Sequence, residues 1–193
     1  MKTSTKISIG VAILIGLWGI SSNNGLVYLD ESVKQRWGQV ENVYQRRADL
    51  IPNLVEVVKG YATHERGTLE AVIAARASAT QVKIDIANAT PEQLKNYQMA
   101  QGQLSSALGK LMVVSEQYPD LKANQIFMDL QKQLEGSENR ITVERMRFNE
   151  VTQLYNTTTR VFPSSIVAFI KGMQLRPYFE AETNAKVAPK VKF

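Results

Sequence analysis

The second half of the chain carries a seven-residue repeat of large apolar side chains. Its members are Phe127, Leu134, Ile141, Phe148, Tyr155 and Phe162, and the positions between them are Leu130, Ser137, Glu144, Val151 and Thr158. This pattern is typical of one long α-helix whose apolar stripe packs against other helices. Pro163 follows directly and is expected to end the helix.

A similar stripe in the first half contains a proline. The apolar positions Val33, Trp37, Val40, Tyr44, Ile51, Leu54, Val58 and Tyr61 are spaced by steps of three and four, and Arg47 interrupts them. Pro52 lies inside the stripe, deletes the backbone hydrogen bond to the carbonyl of Ala48 and costs about 3 kcal/mol in a helix interior. One interpretation is a kinked bundle helix whose arginines pair with carboxylates. The other is a binding surface at Arg46, Arg47, Pro52 and Asn53.

Helix signals divide the chain into four long helices. The first is predicted from about Leu26 to Thr63 and the second from near Thr68 to about Ala87. Thr90-Pro-Glu-Gln93 has the residues of a capping box and starts the third, which ends near Tyr118. No strand-like alternation persists, so the fold class is all-α: an N-terminal transmembrane helix, then an antiparallel up-down-up-down helical bundle with long first and fourth helices.

The unequal helix lengths predict an interface between copies. Because the second and third helices are shorter, the bundle is expected to thin towards the membrane and leave apolar positions uncovered there. The residues predicted to mediate self-association are Val33, Trp37, Val40, Tyr155 and Phe162.

Two polar features are expected inside the bundle. Glu144 occupies a seam position, and a buried carboxylate needs a partner. Arg47, the odd residue in the other seam, is its predicted partner in a buried ion pair or in a shared network with Arg145 or Arg76. Asn53, Tyr155 and Asn156 are predicted to form hydrogen bonds between helices.

The N-terminal segment predicts membrane anchoring. Lys2 and Lys6 precede fourteen mostly apolar residues from Ile7 to Ile20. Alone this stretch also fits the core of a cleavable signal peptide, but a helix continuing to Leu29 would span a bilayer easily. We favour an uncleaved anchor, and the flanking lysines predict a cytoplasmic N-terminus with the bundle on the other side.

The predicted topology returns the fourth helix to the membrane. Ile166, Phe169 and Ile170 are therefore candidate membrane contacts in a short interfacial helix, with a cap folded over the bundle end as the alternative. The predicted domains are an anchor at 1–25, a bundle at 26–180 and a mobile basic tail at 181–193.

Composition excludes several function classes. The net charge is +5, and without Lys2 and Lys6 the chain has 21 basic against 18 acidic residues, too weak a balance for nucleic-acid binding. There is no cysteine, and the single histidine, His64, has no partner at metalloprotease spacing. We therefore predict no catalytic residues, no metal and no cofactor.

Together these segments resemble the LemA family of bacterial membrane proteins. The residues that carry the resemblance are Trp37-Gly-Gln-Val40, Gln45-Arg-Arg-Ala-Asp-Leu-Ile-Pro-Asn-Leu-Val55, Val58-Lys-Gly-Tyr-Ala62, His64-Glu65, Ala75-Arg76, Tyr118-Pro119, Leu121-Lys-Ala-Asn124, Gln133-Leu-Glu-Gly-Ser-Glu-Asn-Arg140, Arg147-Phe-Asn149, Tyr155-Asn156 and Phe162-Pro163. The resemblance implies a membrane helix and a helical bundle, and it implies no known reaction.

The function expected from these observations is a non-enzymatic scaffold in the bacterial inner membrane. It would cross the membrane once, self-associate, and organise lipid or other envelope membrane proteins. The alternative is a module that binds a ligand, peptide or signal around Pro52.

Overall fold

The computed structural model describes residues 3–180, with side chains from Lys6 onward, and confirms the all-α prediction. The helices are α1 (Thr3–Tyr61), α2 (Arg66–Gln81), α3 (Pro91–Ser115), α4 (Pro119–Lys122), α5 (Gln125–Arg160) and α6 (Ser164–Ile170). The predicted tail at 181–193 lies outside the described residues.

A single helix joins the apolar N-terminal segment to the bundle. α1 has 59 residues, which corresponds to about 90 Å at 1.5 Å per residue. Its first part is long and apolar enough to cross a membrane, and the side chains there are not buried. From Leu26 onward one face of the same helix enters the core. Pro52 does not end it.

The four long helices alternate in direction, as predicted. α5 runs back along α1, and α2 packs against α3 and α1. The interior has two clusters. The distal core includes Ile51, Leu54, Val58, Leu104, Leu111 and Leu130. The proximal core, nearer the apolar end of α1, includes Val33, Trp37, Tyr44, Tyr97, Phe148 and Tyr155.

The helix boundaries follow local capping chemistry. Thr90 Oγ1 accepts a hydrogen bond from the Gln93 amide, and Gln93 Oε1 accepts one from the Thr90 amide, so the predicted capping box starts α3. Asn124 caps α5 in the same way through the Phe127 amide. α2 ends at Gln81, earlier than predicted, because Asp85 accepts the Ala87 amide in a turn instead of continuing the helix.

The prediction that apolar positions are left uncovered towards the membrane is wrong, although α2 contributes no buried residue to the proximal core. α3 begins far enough down for Leu94 and Tyr97 to join the proximal core. Residues 173–180, which we call the C-terminal strap, then cover the same region through Met173 and Phe179. Sequence periodicity could not predict this cover because the strap is not helical.

Candidate functional site

The carbonyl freed by Pro52 is occupied by an arginine of another helix. Arg76 on α2 donates from Nε to the Ala48 backbone oxygen at 2.8 Å. The guanidinium therefore takes the place of the amide that proline lacks. Pro52 itself is exposed, and so are Arg46 and Asn53.

Arg47 lies inside the bundle and not on its surface. Its side chain is 1% exposed and contacts both α3 and α5. Nη1 donates to Ser105 Oγ at 2.7 Å and to Glu138 Oε1 at 2.5 Å, and Nη2 donates to Gln101 Oε1 at 2.7 Å. The guanidinium also lies 5.2 Å from the centre of the Tyr44 ring. This network joins three helices at the junction of the two cores.

The predicted pair between Arg47 and Glu144 is wrong. The carboxylate partner of Arg47 is Glu138, whereas Glu144 accepts a hydrogen bond from Arg147 at 2.7 Å one turn along α5. Seam position alone suggested Glu144, but Glu138 reaches the guanidinium from the edge of the seam and keeps a side chain that is 44% exposed. Arg47 is therefore buried in the core and is not part of the predicted binding surface.

A small cleft opens beside this network. It has a volume of about 270 Å³, and its lining includes Glu41, Gln45, Thr80, Lys83, Tyr97 and Gln101. Burial raises the pKa of the Glu41 carboxyl and also the pKa of the Tyr97 hydroxyl. The cleft lining contains a carboxylate and a lysine. It does not pair a nucleophilic side chain with a general base that could activate it.

Aromatic side chains fill the proximal core. Trp37 stacks on Phe179 of the strap, with ring centres 5.9 Å apart, and meets Phe148 edge-on at 5.6 Å. Trp37 is 4% exposed, and Val33, Val40 and Tyr155 are completely buried. Four of the five residues predicted to join copies are thus used within one chain, and the prediction of an exposed stripe is wrong for them. Only Phe162, at 81% exposure, faces outward.

Two asparagines of α5 hold the C-terminal strap by its backbone. Asn149 accepts the Phe179 amide at 2.9 Å and donates to the Phe179 oxygen at 3.0 Å. Asn156 makes the same pair of bonds with Arg176, both at 2.8 Å. Asn156 is therefore an anchor as predicted, but its partner is the strap and not a helix. The spacing of seven between the two asparagines was the available signal.

The strap forms an ion pair with Asp30, near the middle of α1. Arg176 Nη2 lies 2.6 Å from Asp30 Oδ1, and its Nη1 donates to the Ala87 oxygen. Burial acts to raise the pKa of Asp30, but hydrogen bonds from Arg176 and Lys34 outweigh it, so the pKa is lowered. The sequence does not single out this pair because 146 residues separate its members.

The three candidate membrane contacts share one outward face of α6. Ile166, Phe169 and Ile170 are all exposed, and so is Phe162, two residues before α6 begins. α6 contacts both α1 and α5, so it also caps the bundle end as in the alternative considered above. Its inner face is made of small residues, of which Ala168 is buried.

The described residues offer few side chains for acid–base or metal chemistry. Within the described part of the chain, no group of three or more His, Cys, Asp or Glu side chains is placed to hold a metal ion. The prediction that the protein is not an enzyme stays a prediction.

Comparison with known proteins finds magnetosome proteins and a protein named LemA among the relatives of this chain. It is 26% identical over 174 residues to magnetosome proteins MamQ 1 and MamQ 2 of Paramagnetospirillum magneticum (strain ATCC 700264 / AMB-1), a match covering 81% of this chain. It is 22% identical over 149 residues to protein LemA of Metamycoplasma hominis, covering 77% of this chain. The chain spans 64% of the length of each of these relatives. The family model described as the LemA family matches residues 36–193. The chain belongs to the LemA family.

Proposed function

We propose that this protein is a membrane-anchored, non-enzymatic scaffold that holds a helical bundle at the surface of a bacterial membrane. There it would organise partner proteins or lipid. The observation that carries this proposal is the continuity of α1, whose exposed apolar part leads into the bundle core without a break. A bundle built on such a helix is tied rigidly to whatever holds its first turns.

The proposed place is the inner membrane, with the N-terminus in the cytoplasm and the bundle on the far side. Lys2 and Lys6 on the N-terminal flank support this orientation. A reporter enzyme fused after Phe193, active only outside the cytoplasm, would test it. Activity supports the orientation, and a silent, stably produced fusion would overturn it.

The ordered interior also supports a structural role. Arg47 is fully enclosed and bonded to three side chains, and Asn149 and Asn156 fix the strap at two points. Such features give one defined shape, which a scaffold needs more than a catalyst that opens and closes. The alternative of a binding surface around Pro52 has less support because Arg47 does not reach that surface.

Self-association remains part of the proposal, but through surface other than the buried stripe. The outer face of α5 offers exposed apolar residues, including Met146 and Leu154. Exposed apolar side chains on one face are typical of an interaction surface.

A photo-crosslinking experiment in intact membranes tests the scaffold. A benzophenone amino acid is placed at Met146, at Leu154 or, as the control, at Ile73 on α2, which is equally exposed. The scaffold predicts adducts of the same defined masses from Met146 and Leu154, different from those at Ile73. They should also disappear when a neighbouring α5 residue, Glu150, is changed to Arg. The absence of protein adducts specific to Met146 and Leu154 would contradict association through this face of α5.

A further inference from the structure

α6 has the reverse of the pattern expected for a helix on a water-soluble protein. Its large apolar residues point away from the bundle, with Phe169 at 87% and Ile170 at 74% exposure, while Ala168 faces inward. A surface helix normally buries its apolar stripe and exposes polar residues. Together with Phe162, which is exposed just before the helix, these large apolar residues are called the apolar patch.

The patch lies beside the membrane-spanning part of α1. One groove is lined by Gly16, Gly19, Ile20 and Asn23 of α1, by Val167 and Ile170 of α6, and by Lys171, which follows α6. The apolar face of α6 is therefore continuous with the exposed apolar surface of the anchor, and any bilayer that surrounds the anchor meets α6 as well.

The fold holds α6 firmly in this place. Gly172 adopts φ +63, and the Met173 amide donates to the Ala168 oxygen while the Gly172 amide donates to the Phe169 oxygen. This is a Schellman motif, which ends the helix and turns the chain into the strap. At the other end, Ser164 Oγ donates to the Thr158 oxygen at 2.6 Å.

The charges around the patch suit lipid headgroups. Arg160 precedes it and Lys171 follows it, and residues 161–172 contain no acidic side chain. Neither cation forms an ion pair within residues 3–180. Basic residues that flank an apolar face can place their charges among lipid phosphates while the apolar residues enter the acyl boundary.

We propose that α6 is a second membrane contact, in which Phe162, Ile166, Phe169 and Ile170 insert among the lipids next to the α1 anchor. The inference rests on the proposed anchoring and deepens it, because the bundle then stands on two membrane contacts. A second copy of the chain is the competing occupant, and continuity with the anchor favours lipid.

Site-specific labelling tests the proposal, since the chain has no cysteine of its own. The variants Leu14→Cys, Phe169→Cys, Lys171→Cys and Val113→Cys are made singly in the whole chain. They carry an environment-sensitive nitrobenzoxadiazole dye and are reconstituted into phosphatidylcholine–phosphatidylglycerol vesicles with spin-labelled lipids. Lys171→Cys leaves the apolar face intact, and Val113, 68% exposed near the far end of α3, is the control.

If α6 inserts, lipids spin-labelled near the headgroup should quench the dye at positions 169 and 171 at least about twice as strongly as the dye at position 113. Water-like emission at 169 and 171 with a lipid-buried label at 14 would overturn the inference and leave the anchor standing. A label at 14 that is also water-exposed would overturn the anchoring itself. Dye–dye quenching at 169 that vanishes on dilution with unlabelled protein would assign the patch to a second copy, and would overturn the lipid proposal.

Discussion

Arg76 Nε donates to the backbone oxygen of Ala48 at 2.8 Å and so completes the hydrogen bond that Pro52 removes from α1. The proline and the arginine lie on different helices, and neither is explained without the other. A free carbonyl buried between helices is costly, whereas one that accepts a charged donor joins the helices together.

This relationship predicts that the effects of Arg76 and Pro52 are coupled. Arg76→Met should destabilise the bundle by about 1–3 kcal/mol because the Ala48 oxygen loses its donor. In a Pro52→Ala background the cost should fall, since residue 52 then supplies the missing amide. Urea unfolding of the detergent-solubilised protein, followed by near-ultraviolet circular dichroism, gives both values.

Arg66→Met is the matched control for that cycle. Arg66 lies on the same helix, pairs with Glu70 and is 86% exposed, so its loss should change the free energy of unfolding very little. An equal cost of Arg76→Met in both backgrounds would show that the Ala48 bond does not matter.

The second prediction concerns the partner of Arg47. Arg47→Met should destabilise by roughly 3 kcal/mol or more, because it leaves Gln101, Ser105 and Glu138 with unmatched groups in a closed site. A double-mutant cycle with Glu138→Gln should give a coupling energy above about 0.5 kcal/mol, whereas a cycle with Glu144→Gln should not. The larger coupling at Glu144 would restore the pairing expected from the seam.

A seam pattern predicts which side chains are buried better than it predicts how polar side chains pair. The apolar repeats in α1 and α5 predicted the buried residues except at their ends, where Tyr61 and Phe162 are exposed. The Thr90–Gln93 box predicted where α3 starts. The seam did not predict the partner of Arg47. Glu138 lies one position outside the seam, and the long side chain of Arg47 reaches it there, whereas the pattern favoured Glu144. The strap was missed because Asn149 and Asn156 bind its backbone, so their spacing of seven shows that they share a face of α5 but does not identify the segment they hold.

A third prediction follows from Asp30. Its pKa is lowered in the folded protein, so the stabilisation is fully present above the unfolded value, about 3.9, and is lost as the pH falls below it. Asp30→Asn should destabilise the protein at pH 6 by at most about 2 kcal/mol, and the difference from the wild type should shrink near pH 3. Unfolding free energies across this pH range measure the effect.

Arg176→Gln serves as the control for Asp30. Without the guanidinium, the Asp30→Asn difference and its pH dependence should both decrease. An unchanged difference would assign the effect to Lys34, the other cation beside Asp30.

The fourth prediction separates core from surface at the membrane end. Trp37→Asp should abolish the near-ultraviolet signal of the proximal core because it buries a charge among Tyr97, Phe148 and Phe179. Phe162→Asp should leave that signal intact because the side chain faces outward. A folded Trp37→Asp protein with a smaller mass in mild detergent would instead return Trp37 to an interface between copies.

We propose that α1 forms one unbroken support from the bilayer to the far end of the bundle. Gly25 and Gly60 lie on this helix, and a side chain added at either meets no atom within 4 Å, so Gly25→Cys and Gly60→Cys can each carry a fluorescent donor. Energy transfer to acceptor lipids in vesicles then measures the height of each label above the membrane. A continuous helix places the label at Gly60 about 50 Å farther from the membrane than the label at Gly25, at 1.5 Å per residue. Similar distances for the two labels would contradict a continuous α1.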